Sequence, residues 1–212
     1  TGGTLTVIGE GTIKEKYPYY APILTNPSDA PTKIVIDENV KLRGWAGIFI
    51  DCADPPADYS TTPNPVTVEM NGTIESVLDT SDARGHGIYI NGNCKNANEE
   101  EYPKITVNGK ITSRGNGIYA AGYAEWTFGP GAYVEAEDAL SIKSGKFTIN
   151  GGEYVGTGEF ANPAVANGNG SENTGAALTI TTNDNYIHHK IEVIINDGVF
   201  QSEKGYAFYE GI

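Results

Sequence analysis

The stretch Lys104 to Ala124, KITVNGKITSRGNGIYAAGYA, decides the fold. It reads as a short strand (Ile105, Thr106, Val107), an Asn108-Gly109 turn, and a second strand around Ile111. A Gly-rich corner (Arg114, Gly115, Asn116, Gly117) and a third strand (Ile118, Tyr119, Ala120) follow. A period of two puts Ile105, Val107, Ile111, Ile118 and Ala120 on one side, with Thr106, Lys110, Thr112 and Tyr119 on the other. One such unit cannot bury its apolar side alone, so neighbouring copies must stack on it.

The copies are present. Val107 to Phe128 is 21 residues and Phe128 to Ile149 is 21 again, a period suited to one coil of a solenoid. The first strand and its turn recur as VEMNGTI (68–74), WTFGPGAY (126–133), FTINGGEY (147–154) and VIINDGVF (193–200), more loosely as LTVIGEGTI (5–13) and IVIDENV (34–40). The third strand recurs as GIFI (47–50), GIYI (87–90), GIYA (117–120), ALSI (139–142), ALTI (177–180) and AFYE (207–210). The expectation is an all-β parallel β-helix of about seven coils, three short strands each, forming one domain over 1–212. Right-handedness follows from the general preference for right-handed crossovers.

Composition agrees with the repeat. Twenty-seven Gly, 11 Pro and 13 Tyr in 212 residues suit a turn-rich β protein. A net charge of −13 repels nucleic acid phosphates and anionic membrane, so neither is an expected partner. No run approaches 18 apolar residues, which excludes a spanning helix and leaves membrane insertion unexpected. The sequence begins at Thr1 in strand-like residues and stops at Ile212 in mid-coil, and is read as a piece of a longer protein. Insertions such as DCADPPADYSTTPNPV and EFANPAVANGNGSENTG leave the repeat at a few corners, as binding loops on a constant scaffold do.

Two cysteines do not fix the compartment. Cys52 and Cys94 follow Gly47 and Gly87, which the repeat stacks on consecutive coils. Either facing loops join the thiols in a disulfide or the two remain free, because loop paths decide whether the Cα atoms come within about 7 Å.

The phrase FTINGGEYVGTG, preceded by AEDALSIKSG, resembles the repeats of bacterial secreted and cell-surface proteins with a right-handed parallel β-helix, the pectate-lyase-like architecture. That architecture carries polysaccharide lyases, glycoside hydrolases, phage tailspikes and non-catalytic adhesin stalks alike. Gly85-His86-Gly87 is similar to the G-H-G element of its pectin-hydrolysing members, and Glu137-Asp138 resembles their paired-aspartate element. The order of the two is reversed here, the pair is Glu-Asp, and no Asn-x-Asp or Arg-x-Lys phrase accompanies them. RGHGIYI and RGNGIYA are one corner repeated, which gives His86 a structural reading beside the catalytic one.

Stacking in register places Arg84 and Arg114 in one column, His86, Asn116 and Asp138 in the next, and Phe49, Tyr89 and Tyr119 in a third, outward one. Aromatic faces beside planar hydrogen-bonding groups suit sugar rings or a protein partner. The alternative is a ladder that only strengthens the sheet. Metal signals are weaker: His188-His189 diverge on a strand, and Glu99 to Glu101 or the Asp51, Asp54, Asp58 loop supply oxygen for Ca²⁺ without its loop consensus. No catalytic residue and no cofactor is assigned. The expected function is a non-catalytic segment of a secreted or cell-surface bacterial protein, an adhesin-like stalk or a module binding glycan or a host or cell-surface protein. The alternative is a pectin-active lyase or hydrolase whose site lies partly outside the chain.

Overall fold

Repeating apolar positions two apart give strands, and the computed structural model contains little else. It describes residues 3–16, 20–25, 31–52, 66–76, 85–91, 102–160, 174–181 and 190–211. Strands make up 71% of these residues and no helix occurs among them, so the class is all-β.

The described strands begin with β1 (Gly3–Val7), β2 (Gly11–Lys14), β3 (Ile23–Thr25), β4 (Thr32–Ile36), β5 (Val40–Gly44) and β6 (Ala46–Asp51). They continue with β7 (Val66–Met70), β8 (Thr73–Ser76), β9 (His86–Asn91), β10 (Lys104–Val107), β11 (Lys110–Ser113) and β12 (Asn116–Ala120). Then come β13 (Glu125–Phe128), β14 (Tyr133–Ala136), β15 (Asp138–Ile142), β16 (Gly145–Glu159), β17 (Leu178–Thr181), β18 (Ile191–Lys204) and β19 (Phe208–Gly211). Every pairing is parallel, and through β13 each strand pairs with the strand three after it, whereas β14 pairs with β16 and β15 with β17. A first ladder runs β1-β4-β7-β10-β13-β16, a second β2-β5-β8-β11-β14-β16, and a third β3-β6-β9-β12-β15-β17-β19. This connectivity is consistent with a parallel β-helix, and one pass through the three ladders is a coil.

The expectation of three short strands in every coil needs one correction. β16 and β18 are single strands of 15 and 14 residues that run through the first corner, so the first and second ladders join into one 12-stranded sheet. The strand survives the corner because Gly151 (φ 148°) and Gly152 (φ 96°) take backbone angles that side chains resist. Pairing of β16 with β18 shifts register there, as in a bulge.

Inward positions build one continuous core. Ile34, Val68, Ile105, Trp126, Phe147 and Val193 succeed one another in the first ladder, and Leu42, Ile74, Ile111, Val134, Tyr154 and Phe200 in the second. Trp126 stacks on Phe147 with centroids 5.5 Å apart and planes 11° from parallel. Such pairs add roughly 0.5–1.5 kcal/mol beyond area burial. Outward positions carry rungs of charge, including Lys33–Glu69 at 2.7 Å and Lys104–Glu125 at 3.9 Å. Exposed pairs of this kind contribute about 0–1 kcal/mol each.

The second corner is tied by serine. Ser76 Oγ donates to the Trp45 carbonyl (2.6 Å), Ser113 Oγ to that of Gly85 (3.0 Å) and Ser202 Oγ to that of Gly175 (2.7 Å). Each bond reaches back to the preceding coil, satisfying a carbonyl where the ladders part.

Candidate functional site

The G-x-G corner sets up the site. An added Cβ on Gly87 would lie 2.2 Å from Ile111 Cγ2 and 2.3 Å from the Gly117 carbonyl oxygen; one on Gly117 would lie 2.2 Å from Val134 Cγ1. The glycines are therefore packing requirements, and the residue between them is turned to the outer face. That gives the glycines of Gly85-His86-Gly87 a packing role.

Register brings together what the sequence aligned. Asn116 pairs with His86 on one side and Asp138 on the other, and Tyr89 pairs with Phe49 and Tyr119. Phe49 and Tyr89 stack at 4.6 Å and 4°, and His86 sits 5.0 Å from both Tyr89 and Tyr119. Trp45 closes this end edge-on, 5.0 Å from His86 and 5.6 Å from Tyr89. Trp45 was not read as part of the site; the signal was its place in G-W-A-G-I-F-I, just before the position that His86 takes one coil later.

Burial differs from the sequence reading. Tyr119, expected on an open ligand-binding ladder, is only 2% exposed, His86 7%, and Tyr89 half-buried. Ile118 and Ala120 on either side of Tyr119 face the core, so the ring points outward and is covered nonetheless.

The other end of this face is polar. Asp138 is 1% exposed, and its Oδ1 accepts from the Thr174 N–H (2.9 Å) and hydroxyl (2.5 Å). Thr174 Oγ1 lies 2.5 Å from Thr179 Oγ1, on the strand beside Ser141. Burial pushes the Asp138 carboxyl up to about 6, against the lowering effect of the Thr174 bonds. Asn116 Oδ1 and Nδ2, Asp138 Oδ2 and Ser141 Oγ are buried with no hydrogen-bond partner among the described residues.

Arg114 faces elsewhere. It stands at the edge of a groove of about 740 Å³ on the outer face of the second ladder, with Lys41, Glu75, Lys110, Thr112 and Glu135. Glu75 takes Lys41 at 2.6 Å and Arg43 at 3.0 Å. Lys110 Nζ lies over the Tyr133 ring, 4.8 Å from its centre, and the Tyr133 hydroxyl donates to Glu135, which raises the phenol to about 12. Sequence reasoning passed over this groove because charged residues on an outward strand face look like ordinary solvated surface.

Arg84, Cys94, His188, His189, Asp54, Asp58 and Glu99 to Glu101 lie outside the described residues. Cys52 is buried and disulfide-bonded. Among the described residues no three His, Cys, Asp or Glu side chains gather as a metal would require, and no helix is long and apolar enough to cross a membrane.

No family model matches the chain, and neither a curated protein nor a solved structure matches it.

Proposed function

We propose that the chain is a right-handed parallel β-helix of seven coils, a single domain over 1–212, serving as a non-catalytic binding or stalk segment of a secreted or cell-surface bacterial protein. Its ligand is a glycan or a polar surface of another protein, bound without metal or cofactor. The groove carries this reading: its volume lies within the roughly 300–1,000 Å³ common for ligand sites, and cations, carboxylates and hydroxyls alternate along it rung by rung. Sugar hydroxyls both donate and accept, so a surface offering both kinds of group every 4.8 Å or so suits an extended saccharide. The half-buried Trp45, Phe49 and Tyr89 are the part of the aromatic face that remains for contact. Glycan-array binding by the protein, and by Lys110→Ala and Arg114→Ala variants, tests the proposal. Loss of binding at least tenfold with unchanged melting supports it; undiminished binding moves the ligand elsewhere.

A second reading, a polysaccharide lyase or hydrolase, has two observations in its favour. Asp138 titrates near the range a general acid uses. The strands carrying Glu75 and Glu135 are separated by the Thr112 rung, hence about 9.6 Å apart backbone to backbone at 4.8 Å per rung, a spacing comparable with the roughly 6.5–9.5 Å between carboxyls in inverting hydrolases. Against it, one Asp138 oxygen is engaged by Thr174, and Glu75 is neutralised by two cations. Incubation with polygalacturonate, alginate, rhamnogalacturonan and xylan should release neither unsaturated uronate nor reducing ends. Activity lost in Asp138→Asn or Glu135→Gln would install the enzyme reading.

A further inference from the structure

The groove on the outer face of the second ladder is balanced in charge, although the chain as a whole carries −13. Lys41, Lys110 and Arg114 line it against Glu75, Glu135 and Glu137, three cations to three carboxylates. Their arrangement is as even as their number. Lys41, Thr73, Lys110 and Tyr133 follow one another in one outward column, and Arg43, Glu75, Thr112 and Glu135 in the column beside it. No rung of this run sets two carboxylates side by side, and each rung after the first presents a hydroxyl.

The charges also engage one another. Glu75 holds Lys41 at 2.6 Å and Arg43 at 3.0 Å. Glu135 accepts from the Tyr133 hydroxyl, and Lys110 Nζ lies 4.8 Å from the centre of that same ring. Arg114 and Glu137 each have partners as well. One rung beyond Tyr133, its column continues with another carboxylate, Glu153.

We propose that this groove takes a neutral polysaccharide laid along the solenoid axis and turns away polymers that carry a carboxylate or sulfate on each sugar; the inference rests on the reading of the groove as the glycan site. Sugar hydroxyls donate and accept, so a neutral chain adds bonds to lysine, threonine and glutamate without separating the pairs already made. A polyanion must compete with Glu75 for Lys41 and Arg43, and then lies against Glu135 and Glu153 in the field of an acidic protein. Like charges brought together in this way select against the wrong ligand. The polyuronates that a pectin-active enzyme takes are thus the polymers to which this groove is least suited.

Calorimetric titration of the whole 212-residue chain with a galactomannan, an arabinoxylan and a β-glucan, beside polygalacturonate, alginate and a sulfated galactan, tests this. The expected result is that a neutral polymer binds about tenfold or more tighter than any acidic one. That binding should change little in about 1 M NaCl, where the screening length falls to about 3 Å, and should be lost in Lys110→Ala. Glu75→Gln combined with Glu135→Gln leaves the cations in excess and should raise affinity for polygalacturonate about tenfold. Glu137→Gln serves the same purpose should the double variant fold poorly by circular dichroism. Unchanged polygalacturonate affinity in a folded carboxylate variant overturns the exclusion by charge. Tighter binding of a polyanion by the unaltered chain, weakened by salt and lost in Lys110→Ala, overturns the neutral ligand and leaves the glycan groove standing. Binding of no polymer, or neutral binding that survives Lys110→Ala, overturns the groove reading together with this inference.

Discussion

Thr174 holds one oxygen of Asp138 with two hydrogen bonds across 36 residues of sequence, and the backbone N–H groups of Gly175 and Ala176 also act on this carboxyl. Burial nonetheless outweighs these donors and decides its protonation. Its folded pKa of about 6 lies above the ordinary 3.8, so the neutral form is the one the fold favours. Stability from this group is fully present below pH 4 and is lost as pH rises through 6. A shift of this size corresponds to about 3 kcal/mol. Denaturant titrations from pH 4 to 7 should show the protein losing stability relative to Asp138→Asn, and a carboxyl resonance should titrate near 6. A midpoint at or below 4 would contradict the burial argument.

Tyr119→Ala should cost about 3–5 kcal/mol, as large buried aromatics do. Tyr89→Ala, at a half-buried position, should cost clearly less. Thermal melts of the two variants check the order, and equal losses would mean that the outer face is uniformly open or uniformly covered.

Gly87→Ala should lower the melting temperature sharply, since the new methyl meets Ile111 and the Gly117 carbonyl at under 2.5 Å. Overpacking of this kind costs about 1–3 kcal/mol, more where backbone must move. Gly11→Ala, with nothing within 4 Å, is the control and should be neutral or slightly stabilising. Comparable melts for both would refute the close approach.

Reducing the disulfide at Cys52, or replacing Cys52 by Ala, should cost about 2–4 kcal/mol, visible as a lower midpoint in urea with and without dithiothreitol. An unchanged midpoint would mean that the cross-link restrains little of the unfolded chain.

Much of the fold could be read because its signals are local and repeated. The alternation Ile105, Val107, Ile111 and the recurring N-G turn state both strand and period, and the columns His86-Asn116-Asp138 and Phe49-Tyr89-Tyr119 follow from the period alone. Burial could not be read this way. Whether Tyr119 is covered depends on what lies over the ladder, which its own coil does not encode. The fused β16 was also hidden, since NGG at 150–152 reads equally as a turn or as a strand passing through a corner on two glycines. The groove escaped because its meaning lies in the relation between Lys41, Glu75, Lys110 and Glu135 on four successive rungs, none of them unusual alone.

The serines at the second corner also give the molecule a temporal direction. Ser76, Ser113 and Ser202 all donate toward the coil made earlier, so each corner finds its acceptor already in place when the chain is laid down from its N-terminus. A ribosome delivers residues in that same sequence. Assembly then resembles a winding in which these three serines fasten a new loop to the last one, while backbone donors such as Gly145 N–H still await an acceptor further along the chain.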